Sequence, residues 1–279
     1  MNLDDRWKKR RKMALKTAAA SLIICLVAGI AISQRRNRGR EADEPSAETE
    51  LHPGAEFHLA RVKYRTFGGA GSHGLIQPWW AIDYPYAEEH FFAALRRVTN
   101  LTVSDVEEHL ELTDNRIFEH PFLFLQQPGQ GNWRPTKEEA ANLREYLLRG
   151  GFLLVDDFHG EYDWARFQAA MDRVMPDRPI IEIPESDPLM HIFYDLDELN
   201  PIPGVRHLRR RGGQIVAQME GKPSWRGMYD DHGRIMVAMS FNSDMGDSWE
   251  HADDPYYPVP MTALGYKFGV NYVIYAMTH

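Results

Sequence analysis

The chain has 279 residues and a formal net charge of −8, enough length for one large domain or two small ones. Residues 1–40 hold eleven Lys or Arg against two Asp, which leaves 21 basic and 38 acidic side chains, a net −17, in residues 41–279. An acidic surface of this kind repels phosphates, so we expect no nucleic-acid partner. Cys25 is the only cysteine, which excludes an intramolecular disulfide and a cysteine-ligated zinc ion.

The N-terminal segment has the pattern of a membrane anchor. Six Lys or Arg within residues 6–12 precede a charge-free run over 17–33, and four arginines follow that run. A helix of seventeen residues is about 25 Å long, at the short end for crossing a bilayer. The positive-inside tendency places the N-terminus in the cytoplasm and the main domain in the periplasm or outside the cell. A cleaved signal peptide and a buried core helix are the alternatives that this pattern leaves open.

These patterns divide the chain into four segments. We predict a basic cytoplasmic tail over 1–12, a transmembrane anchor over 13–33, a flexible polar linker over 34–55 and an α/β domain over 56–279. The prediction is therefore a single-pass protein that contacts the membrane through residues 13–33.

Hydrophobic periodicity predicts alternating strands and helices in the domain. Residues 69–74 match GxGxxG after the first strand, but a Gln-Pro-Trp-Trp segment follows instead of a helix, so we interpret the glycines as a loop and not as a dinucleotide site. Strands separated by helices favour a doubly wound, mostly parallel sheet. The predicted strands are 57–64, 118–126, 152–155, 179–183, 214–219 and 234–241, and the predicted helices are 86–99, 136–149, 164–174 and 266–277.

Polar side chains recur where the predicted strands end. Asp156 and Asp157 follow the buried strand 152–155, and they alternate along the chain, so they cannot face the same side and we expect one of them to be structural. In open α/β sheets, ligands bind at the carboxyl ends of the strands. We therefore predict a ligand-binding site built from Asp83, Asp157, His159, Asn242, Asp244 and Asp247.

Three kinds of chemistry are open for these residues. Converging carboxylates could bind a hard divalent cation, which prefers oxygen ligands. Two carboxylates in different environments could act as acid and base, with Asp157 the candidate catalytic residue. They could also cap helices and brace loops, since Asp is a common helix cap. The sequence has no P-loop, HExxH or EF-hand spacing, so it identifies no cofactor.

Four segments together resemble the bacterial DUF4159 family: WAIDYP at 80–85, LLRGGFLLVDDF at 147–158, NSDMGD at 242–247 and YKFGVNY at 266–272. The resemblance implies a flavodoxin-like fold of the class I glutamine amidotransferase type, similar to ThuA-like domains, and no established activity. In that fold the turn after strand 152–155 would hold a nucleophilic cysteine. This chain has Asp156 and Asp157 there, which excludes glutamine hydrolysis through a thiol. Asn242 stands where ThuA-like domains often carry a histidine.

The sequence as a whole favours a membrane-anchored domain of the cell envelope that binds a ligand or assembles with a partner without catalysis. An envelope protein or a polar small molecule is the expected partner. The alternative is a hydrolase acting on a carbohydrate or a similar polar substrate, with Asp157 as base or nucleophile and a divalent metal ion as a potential cofactor.

Overall fold

The computed structural model describes residues 54–66, 70–72, 75–196 and 201–279. The predicted tail and anchor, and the predicted linker up to residue 53, lie outside these residues. Within the described ranges, no helix is both long and apolar enough to cross a bilayer.

A seven-stranded sheet crosses the domain. Its strands are β1 (Leu59–Val62), β4 (Glu108–Leu110), β5 (Phe122–Gln126), β6 (Phe152–Phe158), β7 (Ile181–Glu182), β10 (Ser224–Tyr229) and β11 (Ile235–Phe241). They lie in the order β4-β1-β5-β6-β11-β10-β7. The first five run parallel to their neighbours, whereas β10 is antiparallel to both β11 and β7. Two hairpins stand outside this sheet: β2 (Ala70–Ser72) with β3 (Leu75–Gln77), and β8 (Leu208–Arg211) with β9 (Gln214–Ala217).

Helices cover both faces of the sheet. They are α1 (Tyr86–Val98), α2 (Lys137–Leu148), α3 (Gly160–Val174), α4 (Met245–Glu250) and α5 (Val259–Thr278). Side chains of β5 alternate between two cores: Leu123 and Leu125 share one with α2 and α3, and Phe122 and Phe124 share the other with α1, α4 and α5. The mostly parallel sheet, covered on both faces, is the doubly wound α/β arrangement that the sequence predicts.

Local sequence signals explain how α2 begins and ends. The Thr136 side chain accepts a hydrogen bond from the Glu139 backbone N–H, and the Glu139 carboxylate accepts one from the Thr136 backbone N–H, which completes the predicted capping box. Gly150, with φ of +111°, lies just beyond the end of the helix. β6 then begins at Phe152, and every residue of this strand is buried.

The structure differs from the sequence prediction at several elements, including the closing helix predicted over 266–277, which begins at Val259. The strand predicted at 152–155 continues to Phe158, and α3 begins at Gly160 instead of residue 164. β10 was not predicted, because its sequence is polar and contains a glycine and so has no local strand pattern. It forms a strand through its pairing with β11. The strand predicted at 214–219 is β9, which pairs with β8 in a two-stranded hairpin separate from the main sheet.

Candidate functional site at the carboxyl edge of the sheet

The predicted site residues gather where β5, β6 and β11 end. One ligand atom from each of Asp83, Asp244 and Asp247 lies within 4.8 Å of the other two. Asp157, His159 and Asp244 satisfy the same condition. Because Asp244 belongs to both groups, these five predicted residues form one continuous cluster.

Asn242 borders the cluster and braces it. Its side-chain oxygen accepts a hydrogen bond from the Gly160 backbone N–H at 2.9 Å, at the start of α3. Its side-chain nitrogen donates to the carbonyl of Lys222 at 3.0 Å. Since both ends of the amide are engaged, Asn242 fixes the positions of the surrounding loops.

Asp83 is held in the cluster by buried groups on β1 and β5. The Arg61 guanidinium donates to the carbonyls of Trp80 at 2.9 Å and Ile82 at 2.8 Å, which fixes the backbone just before Asp83. Arg61 is fully buried and pairs with Glu88 of α1. The Asp83 carboxylate accepts a hydrogen bond from Gln126 Nε2 at 2.5 Å.

Asp157 and His159 form a buried carboxylate–imidazole pair. Asp157 Oδ1 lies 3.0 Å from His159 Nε2 and 3.4 Å from Arg206 Nη2, and Asp157 Oδ2 accepts a hydrogen bond from Gln127 Nε2. Asp157 is 1% exposed and His159 is 4% exposed. Arg206 connects the pair to the surface, because its side chain is 40% exposed.

Four residues at this edge adopt the left-handed backbone conformation: Asp83, Gln127, Asp157 and Asn242, with φ of 68°, 48°, 51° and 55°. For residues other than glycine this conformation costs roughly 1–2 kcal/mol each, and Asn and Asp tolerate it best. Such residues cluster at functional sites, where the surrounding structure holds them. At Asp157 it falls within β6, where the pairing with β11 is irregular between Val155 and Phe158.

Asp156 has a structural role distinct from that of Asp157. Its Oδ2 accepts hydrogen bonds from the backbone N–H groups of Met245 at 2.8 Å and Gly246 at 2.9 Å, which caps α4. Gly246 is required there, because a Cβ would collide with the Asp83 carboxylate. We expected one of the two adjacent aspartates to be structural, and Asp156 is that residue.

The first turn of α4 supplies Asp244 and Asp247. Asp244 Oδ1 accepts a hydrogen bond from the Asp247 backbone N–H at 2.8 Å, and Asp247 Oδ2 accepts one from the Val205 backbone N–H at 2.7 Å. A Cβ on Gly204 would lie 2.5 Å from Asp244 Oδ2, so only glycine lets this loop approach the carboxylate so closely.

Mutual repulsion and burial perturb the acidity of these carboxyl groups. Burial, then the charges of Asp247 and Glu250, raises the pKa of Asp83 well above its usual value. Burial, then Asp157 and Asp247, does the same to the pKa of Asp244. Burial and Asp247 raise the pKa of Glu250 to about 7. Burial acts in the raising direction on Asp247 too, but the hydrogen bond and charge of His251, together with the hydrogen bonds from Val205 and with Asp244, outweigh it and lower the pKa of Asp247.

Several buried oxygen atoms in contact with the cluster have no hydrogen-bond partner among the described residues. They include Oε1 of Gln126, Oε1 of Gln127 and Oδ1 of Asp156. The two glutamine amides belong to the cluster, since their nitrogens donate to Asp83 and Asp157. Unpartnered buried oxygens beside carboxylates are costly unless protons, water or a cation satisfy them.

The dimensions of the cluster suit a single cation. Two ligands on opposite sides of a Ca²⁺ ion are about 4.8 Å apart, since each bond is about 2.4 Å long. The ligand atoms of Asp83, Asp244 and Asp247 all lie within 4.8 Å of one another, so one ion could contact all three. Carboxylate and amide oxygens are the ligands that hard cations prefer.

Sequence reasoning missed Gln126, Gln127 and Arg206 as site residues. Gln126 is the last residue of β5 and Gln127 follows it, so the strand-end argument that selected the aspartates also applied to them. Arg206 carried no local signal, because a loop distant in sequence from both Asp157 and Asp244 brings it to the site. Trp225 and Trp249 are buried and stack on Phe268 and Phe91.

The fold and the site define a class of protein: a doubly wound α/β domain with a buried, carboxylate-rich cluster at the carboxyl edge of its sheet. Residues 58–277 match the sequence profile of the family described as "Domain of unknown function (DUF4159)", and the chain belongs to that family. This confirms the family resemblance carried by the four sequence segments. No curated protein matches the chain.

Proposed function

We propose that the domain is a non-catalytic binding module whose strand-end site takes a hard divalent cation such as Mg²⁺, Mn²⁺ or Ca²⁺. Asp83, Asp244 and Asp247 would be its carboxylate ligands, and Gln126 Oε1 a neutral oxygen ligand. The observation that carries the proposal is the approach of three carboxylates to within 4.8 Å beside unpartnered, buried amide oxygens.

The charges of the neighbouring groups favour a cation over a purely structural cluster. Arg61 is already paired with Glu88, and Arg206 lies against Asp157. Burial first, and then the neighbouring carboxylates, raise the pKa values of Asp83 and Asp244, which favours the protonated carboxyl groups in the absence of a cation. A divalent cation replaces those protons and adds the missing partner for the amide oxygens.

Burial of the cluster supports binding in preference to catalysis. Asp83 is 5% exposed and Asp244 is 3% exposed, which leaves access for an ion but not for a sugar ring. A polar small molecule or an envelope protein would meet the site at its rim, where the Arg206 guanidinium reaches solvent.

Thermal unfolding of the full chain in non-ionic detergent at pH 8 tests the proposal. Mg²⁺, Mn²⁺ and Ca²⁺ are added in turn after dialysis against a chelator, and a cation at 100 times its dissociation constant should stabilise by about 2.7 kcal/mol. Asp244→Asn should abolish the stabilisation, whereas Asp172→Asn, an exposed aspartate on α3, should retain it. If no cation changes the unfolding temperature, or if both variants respond equally, the cation site is wrong.

A hydrolase is the second candidate, and the Asp157–His159 pair favours it. The two groups are within hydrogen-bond reach, and Asp157 has a left-handed backbone near the end of β6. Turnover of nitrophenyl esters, phosphates and glycosides, lost in Asp157→Asn while the cation-dependent stabilisation persists, would support this candidate. Absence of turnover under conditions where the cation binds would argue against it.

The finer fold assignment is also a proposal: a flavodoxin-like domain of the class I amidotransferase type that has lost the nucleophile. It is supported by the left-handed backbone at Asp157, where that fold would carry its cysteine. A crystal structure that superposes β6 and α3 on an amidotransferase domain would test it.

We further propose that residues 13–33 anchor the domain in the membrane, with the domain on the periplasmic or extracellular side. The basic residues that flank the apolar run support this orientation. Protease added to intact cells, spheroplasts and lysates tests the location of the domain. Extraction at high salt distinguishes an anchor from a cleaved signal peptide, because a protein released by cleavage is recovered in the soluble fraction.

A further inference from the structure

A groove on the solvent-facing side of α3 is lined by basic side chains and by no carboxylate. It has a volume of about 420 Å³ and lies between α3 and the segment that precedes α2. Ligand pockets are typically about 300–1,000 Å³, so the groove is large enough for a small organic molecule. None of its lining residues belongs to the carboxylate cluster.

The spacing of residues along α3 creates the groove. Ala165, Ala169 and Ala170 lie on one face of the helix, and their small side chains leave a shallow apolar floor. Arg166 and Arg173, one and three turns beyond Tyr162 on that same face, stand beside this floor.

Three arginines line the groove: Arg134 in the segment before α2, and Arg166 and Arg173 on α3. Arg166 is held in place, with its guanidinium carbon 4.3 Å from the centre of the Tyr162 ring and one nitrogen 3.3 Å from the carbonyl of Gly129. Arg134, on the opposite side, donates to Asn132 at 3.0 Å. Arg173 has no hydrogen bond or ion pair with any residue in the described part of the chain.

Trp133 supplies a further donor without an acceptor. This residue lines the groove, its side chain is 2% exposed, and it packs against Phe167. Its indole N–H is buried and has no hydrogen-bond partner among the described residues. A buried donor without a partner is costly, and because the residue lines the groove its N–H resonance reports on binding there.

We propose that this groove binds a small organic anion, a phosphate or carboxylate carried on an aromatic or apolar group. The anionic oxygens accept hydrogen bonds from the Arg134, Arg166 and Arg173 guanidinium groups, which suit planar and tetrahedral oxyanions. The apolar part of the ligand lies on the alanine floor. The basic lining stands out because residues 41–279 carry a net charge of −17, so it does not follow from a generally basic surface. The inference is independent of the proposed cation site.

The experiment measures binding of phenyl phosphate and benzoate to the full chain in non-ionic detergent. Calorimetry gives the affinity, and the indole N–H resonances of ¹⁵N-tryptophan-labelled protein report on Trp133, which Trp133→Phe assigns. Arg173→Gln and Arg134→Gln remove exposed guanidinium groups from the groove. Arg97→Gln removes an exposed guanidinium from α1 and is the matched control.

We expect both probes to bind and to shift the Trp133 resonance. Each groove variant should weaken binding about tenfold or more, because it removes a charge-assisted hydrogen bond, while Arg97→Gln leaves the affinity unchanged. Inorganic phosphate should bind more weakly than phenyl phosphate, since it cannot use the apolar floor. The proposal is overturned if neither probe binds at 10 mM (about the weakest affinity of interest), if inorganic phosphate binds as tightly, or if Arg97→Gln weakens binding as much as Arg173→Gln.

Discussion

Asp156 Oδ2 accepts a hydrogen bond from the backbone N–H of Gly246 at 2.9 Å, which ties the end of β6 to the first turn of α4. The same oxygen accepts from Met245 at 2.8 Å. Through this contact, the central strand of the sheet positions the helix that carries Asp244 and Asp247.

We therefore predict that Asp156→Ala destabilises the domain by about 2 kcal/mol or more, because two buried N–H groups lose their acceptor. Asp156→Asn keeps an acceptor oxygen and should cost less. Urea unfolding monitored by tryptophan fluorescence measures both. Equal losses for the two variants would show that the contact matters through its charge and not as a cap.

Asp244→Asn should stabilise the cation-free protein at alkaline pH. In the folded state the pKa of Asp244 is raised, by burial first and then by Asp157 and Asp247. An aspartate in an unfolded chain has a pKa of about 4. Below that pH both states are protonated. As the pH rises past it, the unfolded chain ionises first, so the stability contributed by this proton is progressively lost until the pH exceeds the folded-state pKa.

Thermal unfolding in chelator at pH 8 and at pH 4 checks this prediction. Asparagine cannot ionise and keeps the oxygen that accepts from the Asp247 N–H, so the variant should melt at a higher temperature than wild type at pH 8 but not at pH 4. The exposed Asp172→Asn should show no such difference. A variant that is less stable than wild type at pH 8 would contradict the electrostatic account.

Removing Glu88 should be strongly destabilising. Glu88 is 2% exposed and pairs with the fully buried Arg61, so Glu88→Ala leaves an uncompensated buried guanidinium, at a cost of about 3–5 kcal/mol. The neighbouring Glu89 is exposed, and Glu89→Ala should change stability by less than about 0.5 kcal/mol. Chemical denaturation compares the two. A similar small effect of both substitutions would mean that the ion pair does not support the loop before Asp83.

Asn242→Gly should be more stable than Asn242→Ala. Both substitutions remove the contacts with Gly160 and Lys222, so their difference isolates the left-handed backbone at φ of +55°. Alanine is strained there by roughly 1 kcal/mol relative to glycine. Unfolding free energies measured side by side provide the check, and an alanine variant as stable as the glycine variant would show that the loop relaxes after substitution.

Much of the architecture was predictable from local patterns. The Thr136–Glu139 capping box and Gly150 bracket α2, and the apolar run beginning at Phe152 marks the buried central strand. The pairing of β10 was not predictable, because its residues become a strand only through contacts with β11, which follows it in the chain. The early start of α3 was missed because Gly160 is a poor helix former that Asn242, 82 residues away, caps with its side chain.

The sequence by itself determined the doubly wound α/β class, the family and the polar residues that follow each strand, since hydrophobic period, glycine position and strand ends are local properties. The tertiary structure alone decided that Asp83, Asp157, His159, Asp244 and Asp247 form one cluster, that Asn242 and Asp156 brace it, and that Gln126, Gln127 and Arg206 join it. The tertiary structure also decided which carboxyl groups have a raised pKa. These properties depend on distances between residues far apart in the chain, and the order of the strands in the sheet sets those distances.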